Sequence, residues 1–194
     1  MRRYGFEKNF NMSVPNLISL ARLMAVPVMI YLILHGYYLA AFWLFVAAGV
    51  SDAIDGYIAK QMGQATVLGS YLDPLADKAL LVGVYITMGQ ADLLPSWLVI
   101  LVVFRDIVII GGVVLLHIST DGVRMKPLVV SKINTAAQII LVTVVLSNLA
   151  FPQLEWSQFV SILIYLVTAT TFASGAAYVV SWGRNVEKNE DGGS

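Results

Sequence analysis

Six long apolar stretches, separated by short polar breaks, run through this chain of 194 residues. They cover residues 17–34, 39–58, 69–88, 97–118, 128–148 and 159–180. A helix needs about 20 mostly apolar residues to cross a lipid bilayer, and each stretch is close to that length. Hydrophobic residues make up 58% of the chain and charged residues 12%, about half the charged share of a soluble domain. We therefore predict an all-α integral membrane protein with six transmembrane helices.

The distribution of basic residues predicts how these helices are oriented. Eight of them lie in the N-terminal segment, the second and fourth loops and the C-terminal segment: Arg2, Arg3, Lys8, Lys60, Arg124, Lys126, Arg184 and Lys188. The first, third and fifth loops carry none. Because positively charged loops stay on the cytoplasmic side of a membrane, we expect both termini in the cytoplasm.

The breaks between the stretches are short, so neighbouring helices are expected to form antiparallel hairpins. We predict one membrane domain over residues 1–186, followed by a polar tail over residues 187–194. Residues 1–13 combine basic and aromatic side chains, which predicts a short helix at the membrane interface. This segment lacks the apolar core and the cleavage site of a signal peptide.

Composition excludes several classes of function. The chain has no Cys, so disulfide frameworks, thiolate zinc sites and thiol nucleophiles are excluded. Its 12 Lys and Arg balance its 12 Asp and Glu, without a basic run. Nucleic-acid binding is therefore also excluded.

Four acidic residues lie near the cytoplasmic ends of the second and third stretches, where lipid-facing charge is costly. Asp52 and Asp55 are three residues apart, and Asp73 and Asp77 are four apart, so each pair shares one helix face. The short loop between the two helices places both pairs at a similar depth. Four adjacent carboxylates cannot all be ionised without a strong counter-charge, so either their pKa values rise sharply or cations lie among them. Oxygen donors with no His or Cys nearby favour Mg²⁺ or Mn²⁺.

Two other interpretations of the acids are open at this point. Four basic residues in or beside the apolar stretches could pair with them as structural salt bridges: Arg22, Lys78, Arg105 and Lys132. A proton relay or ion pathway of a small transporter also uses acids within the membrane. Against transport, the acids are gathered at one side, and no charge continues toward the other.

The order of these residues resembles a known family. The segment reads Asp52-x2-Asp55-Gly56-x2-Ala59-Lys60-x8-Gly69-x3-Asp73-x3-Asp77. It is similar to the signature of the CDP-alcohol phosphatidyltransferases, with every spacing kept. Lys60 stands where the family usually has Arg; lysine keeps the charge but lacks the planar fork that grips phosphate with two hydrogen bonds.

Further segments extend the resemblance over nearly the whole chain. Residues 13–22 and 72–78 are similar to both the phosphatidylglycerophosphate and the cardiolipin synthases of this family. Residues 105–106, 131–138, 170–174 and 182–184 look more like the cardiolipin synthases. This resemblance implies transfer of a phosphatidyl group from CDP-diacylglycerol to phosphatidylglycerol, with release of CMP. The alternative acceptor is glycerol-3-phosphate.

The resemblance also implies residue roles. Asp52, Asp55 and Asp73 would hold two Mg²⁺ or Mn²⁺ ions, and Asp77 would bridge the ions and take the proton of the acceptor hydroxyl. Contacts with CDP-diacylglycerol would come from Pro15, Asn16, Leu17, Ile18, Asp52, Gly56, Ala59, Lys60, Thr66, Gly69 and Asp73. A homodimer is expected by the same comparison.

Several of these residues have a structural alternative. Asn16 would equally suit the N-cap of the first helix, and Gly56 would suit close helix packing. Arg22, Lys78, Arg105 and Lys132 are available to bind the phosphate of either acceptor, although Arg105 could instead pair with Asp106. We expect a bacterial inner membrane because the N-terminal segment is too short for a transit peptide.

Overall fold

A computed structural model describes residues 14–62, 67–119, 129–154 and 156–191, and side chains at 17–54, 75–112, 129–153 and 156–179. Within these ranges the regular structure is entirely helical. The six α-helices are α1 (Val14–Leu34), α2 (Tyr38–Met62), α3 (Val67–Gln90), α4 (Ser96–Ser119), α5 (Val129–Ala150) and α6 (Ser157–Asp191). The all-α prediction is therefore confirmed for this part of the chain. The predicted interfacial helix over residues 1–13 lies outside the described residues.

Two of the predicted breaks are tight turns in which one residue has a positive φ: Gly36 after α1 and Asp92 after α3. Gly36, with φ of 74°, follows α1; its own N–H bonds to the carbonyl of Ile33, and that of Tyr37 to the carbonyl of Leu32. These two bonds define a Schellman motif. Glycine suits the position because it has no Cβ to clash at positive φ.

Among the described residues, three helical segments have the length and apolar composition to cross a membrane: Leu17–Leu34 in α1, Val129–Ala150 in α5 and Ser157–Val179 in α6. The apolar part of α2, Tyr38–Ile54, is shorter. Large hydrophobic side chains are exposed along the outer faces of α1, α4 and α6, including Met24, Phe104, Ile107, Tyr165 and Phe172. Such continuous apolar surface requires an apolar environment. Six spans and cytoplasmic termini remain predictions.

The helices pack around a core at the centre of the bundle. Helix α1 contacts α2 and α3, α5 contacts α2 and α6, and α4 contacts α3 and α6. The largest fully buried side chains include Met29, Tyr85, Met88, Leu98, Leu141 and Leu146. Helix α6 continues to Asp191, so the first part of the polar segment 187–194 is helical.

Candidate active site

Asp52 and Asp77 occupy matching positions on two consecutive helices, both of which contact α1. Asp52 lies ten residues before the end of α2 and Asp77 ten residues after the start of α3. At a rise of 1.5 Å per residue, both are about 15 Å from the connecting loop. The two carboxylates therefore lie at a similar depth, although α2 and α3 are joined through α1 and not by contacts with each other among the described residues.

Arg22 of α1 joins these two carboxylates. Its Nη1 atom lies 2.8 Å from Oδ1 of Asp52 and also pairs with Oδ1 of Asp77. The Arg22 side chain is 2% exposed, whereas those of Asp52 and Asp77 are 45% and 43% exposed. A buried cation thus connects three helices, and each carboxylate stays accessible from one side.

The accessible sides of these carboxylates face a cavity of about 500 Å³. Its polar end is formed by Arg22, Asp52, Asp77 and Lys78, and the rest is mostly apolar. The complete lining is Arg22, Phe45, Val46, Ala48, Gly49, Val50, Asp52, Ala53, Asp77, Lys78, Leu80, Leu81, Thr135, Ile139 and Thr143. The cavity therefore joins a charged end to an apolar groove between α2, α3 and α5.

A second polar cluster lies beside this cavity, between α3, α4, α5 and α6. The Asp106 carboxylate accepts from Lys78 Nζ at 2.8 Å and from Arg105 Nη1 at 2.7 Å, one bond to each oxygen. Arg105 also donates to Ser131 at 2.7 Å and to Ser174, through Nε at 3.1 Å. Arg105 and Asp106 are both buried. Lys78 is the member of this cluster that lines the cavity.

The other predicted site residues fall into two groups. Leu17 and Lys132 are exposed and Ile18 is half-buried, and the three are not among the residues that line the cavity. The side chains of Pro15, Asn16, Asp55, Gly56, Ala59, Lys60, Gly69 and Asp73, and the whole of Thr66, lie outside the described residues. Among the side chains that are described, no three acidic or histidine groups form a cluster that could hold a metal ion.

Small polar residues of α5 and α6 form contacts that their types alone did not indicate. Ser131 and Ser174 bind Arg105. Asn134 accepts from Thr170 at 2.8 Å and from Thr171 at 2.9 Å. Two sequence signals mark them: they interrupt apolar helices, where polar side chains commonly join neighbouring helices, and they lie in segments 131–138 and 170–174, which resemble the cardiolipin synthases.

The sequence matches the CDP-alcohol phosphatidyltransferase family over residues 12–176. The chain belongs to this family. It is 38% identical over 188 residues to the chloroplastic CDP-diacylglycerol–glycerol-3-phosphate 3-phosphatidyltransferase 1 of Oryza sativa subsp. japonica, covering 88% of this chain and 57% of that protein. It is 35% identical over 189 residues to the CMP-forming cardiolipin synthase of Rattus norvegicus, covering 89% of this chain and 62% of that protein.

A bacterial relative matches over most of its length. The CDP-diacylglycerol–glycerol-3-phosphate 3-phosphatidyltransferase of Bacillus subtilis (strain 168) is 31% identical over 182 residues, covering 86% of this chain and 93% of that protein. The chain spans less than two thirds of the rice and rat proteins. Because this chain belongs to the family, we interpret it as an enzyme of phospholipid synthesis and not as a transporter. The family generally uses a divalent metal.

Proposed function

We propose that this family member is a cardiolipin synthase, which transfers the phosphatidyl group of CDP-diacylglycerol to a hydroxyl of phosphatidylglycerol and releases CMP. One observation carries the proposal. Asp52 and Asp77, from two helices, face a single cavity whose remaining walls are mostly apolar. This combination suits a substrate with a charged pyrophosphate and two hydrocarbon chains.

The described carboxylates have the chemistry of a metal site. Asp52 and Asp77 are half-exposed hard oxygen donors on one cavity, the ligand type that Mg²⁺ and Mn²⁺ prefer. With Asp55 and Asp73 they would hold two such ions. When bound, the metal would neutralise charge on the pyrophosphate and on the departing CMP.

The residues themselves supply orientation and proton transfer. An acceptor hydroxyl oxygen forms a bond to the phosphatidyl phosphorus while the bond from that phosphorus to the CMP oxygen breaks. The hydroxyl proton passes to the Asp77 carboxylate, which acts as the general base. Arg22 orients the Asp77 carboxylate through their ion pair. Because the displacement is direct, no phosphatidyl–enzyme intermediate forms.

The apolar groove suits a hydrocarbon chain of a lipid substrate. Its lining runs from Ala53 back to Phe45 along α2, a length of about 12 Å. Ile139 and Thr143 of α5 form the facing wall. An acyl chain placed there leaves the headgroup at Asp52 and Asp77, so the charged and apolar parts of one lipid match the two ends of the cavity.

Phosphatidylglycerol is the acceptor we favour because of the later segments that look like cardiolipin synthases, and because a cardiolipin synthase of rat aligns over 89% of this chain. Glycerol-3-phosphate is the second candidate. It is favoured by the rice and Bacillus subtilis relatives, whose names give that acceptor. Lys78 at the cavity wall would attract the phosphate of either compound. We also propose a homodimer in a bacterial cytoplasmic membrane, with the site on the cytoplasmic side.

Purified protein, labelled CDP-diacylglycerol and Mg²⁺ or Mn²⁺, with each acceptor offered alone, tests this function. Cardiolipin formed only with phosphatidylglycerol supports the proposal. Product formed only with glycerol-3-phosphate would instead identify a phosphatidylglycerophosphate synthase. No CMP with either acceptor, from folded protein, overturns both assignments.

A further inference from the structure

The cluster around Asp106 lies inside the helical bundle, beside the cavity that Arg22, Asp52 and Asp77 line. Two cations, Lys78 and Arg105, share the single carboxylate of Asp106. Asp106 lies near the middle of α4 and is 2% exposed. The neighbouring group has the opposite composition, with the one cation Arg22 and the two carboxylates Asp52 and Asp77. The charges of the two groups together balance, and Lys78 is the cation that belongs to the Asp106 cluster and also lines the cavity.

Arg105 is the less accessible of the two cations. Each of its three guanidinium nitrogens donates a hydrogen bond within the bundle, to Asp106, Ser131 or Ser174. Arg105 is 5% exposed. Because Arg105 is bonded to Asp106, to Ser131 of α5 and to Ser174 of α6, it supports the Asp106 carboxylate and does not face a ligand.

Lys78 is the cation through which the cluster can reach a ligand. Its side chain is 29% exposed and lines the cavity that also contains Asp77. An ammonium group has three N–H donors, and Asp106 receives one of them at 2.8 Å. The lysine ammonium is attached through a flexible chain of four carbons, so without a fixed partner it would sample many positions. Some of these positions lie beside the neighbouring Asp77 carboxylate.

We propose that Asp106 is a positioning residue for recognition of the acceptor phosphate. It holds the Lys78 ammonium at the cavity wall. Arg105 donates to the other oxygen of Asp106 and holds it in turn. The proposal rests on the proposed phosphatidyl transfer, and it applies to the phosphate of either acceptor because both present an anionic oxygen to Lys78.

Asp106→Asn tests the bond to Lys78 separately from the bond to Arg105. The amide oxygen can still accept from Arg105, whereas the amide nitrogen cannot accept from Lys78. We expect KM for the acceptor to rise about tenfold, the size of one lost hydrogen bond to a charged group. KM for CDP-diacylglycerol should change less than about twofold and kcat less than about threefold, since neither depends on this bond.

Lys78→Met and the double variant show whether Asp106 acts through Lys78. Lys78→Met should raise the acceptor KM to a similar extent, and adding Asp106→Asn to it should have no further effect. Ser174→Ala is the matched control, because it removes a partner of Arg105 and leaves Asp106 and Lys78 in place. It should lower the melting temperature with less than about a twofold change in acceptor KM.

Three results would overturn the proposal: additive effects of Asp106→Asn and Lys78→Met, equal increases in KM for both substrates, or an acceptor KM in Ser174→Ala that matches Asp106→Asn. Failure of the proposed function looks different. It appears already in the wild-type enzyme, as absence of CMP release with both acceptors. If glycerol-3-phosphate is the acceptor used, the same variants are measured with it.

Discussion

Nη1 of Arg22 lies 2.8 Å from Oδ1 of Asp52, and this ion pair joins a buried side chain of α1 to a half-exposed side chain of α2. The same nitrogen pairs with Asp77. Arginine stays protonated at any pH a protein tolerates. Arg22 is therefore a permanent positive charge that stabilises two carboxylates within an apolar bundle.

Replacing Arg22 by Gln should destabilise the protein when no divalent metal is added. The variant leaves Asp52 and Asp77 without the guanidinium that joins them. We expect a loss of about 2 kcal/mol, below the range for a fully buried pair because both carboxylates contact solvent on one side. Thermal unfolding in detergent with a chelator measures the loss.

Two further variants control this result. Arg22→Lys keeps the charge and should recover part of the stability. Arg22→Gln combined with Asp52→Asn removes one charge of each sign and should lose less than the sum of the two single changes. A melting temperature of Arg22→Gln equal to that of the wild type would show that the ion pair contributes nothing to stability.

Asp77→Asn should remove the general base while keeping the shape of the site. We expect CMP release to fall by at least about 100-fold, in the range that general base catalysis contributes. Binding of CDP-diacylglycerol, measured by protection against thermal unfolding, should remain. An undiminished rate of CMP release in a variant that still binds the nucleotide would show that another group takes the proton.

Gly49→Leu should narrow the apolar groove without touching the charged end. A Cβ at Gly49 would meet no atom within 4 Å, and Gly49 lines the cavity. The added side chain should raise KM for CDP-diacylglycerol with long acyl chains more than KM for a short-chain analogue, because the longer chain needs more of the groove. Initial rates of CMP release with the two donors measure the difference.

Gly111→Leu is the matched control for the groove. A Cβ at Gly111 would also meet no atom within 4 Å, but Gly111 lies on α4 and is not among the residues that line the cavity. The substitution should leave both KM values unchanged. If Gly49→Leu affected long and short donors equally, the groove would not hold an acyl chain.

The apolar stretches and the acidic motif predicted much of this arrangement. The lengths of the apolar stretches predicted the helices, since about 20 consecutive apolar residues match the length of a helix that crosses a bilayer. The connection between α2 and α3 is short and each acid lies ten residues from it, so the similar depth of Asp52 and Asp77 could be predicted from sequence spacing alone.

The Arg105–Asp106 pair was predicted as one interpretation and is present, but the other partners of the buried cations could not be predicted in this way. Arg22 and Asp77 are 55 residues apart, and Arg105 and Ser174 are 69 apart. Such contacts depend on how each helix is rotated and which neighbours it packs against. Apolar helices with lipid on one side give little periodic signal for that rotation, because both faces are hydrophobic.

Asp92→Gly should stabilise the turn between α3 and α4. Asp92 has φ of 56° and follows the end of α3, where Leu93 N–H bonds to the carbonyl of Met88 at 2.9 Å. This is the same capping motif that Gly36 forms after α1, but with a residue that has a Cβ. Removing the strain should raise stability by about 1 kcal/mol, measured as the melting temperature in detergent. Asp92→Ala is the control, because it keeps the Cβ and loses the polar side chain that tolerates this conformation. This variant should be less stable than the wild type. If it were instead as stable as Asp92→Gly, the gain would come from loss of the charge and not from relief of backbone strain.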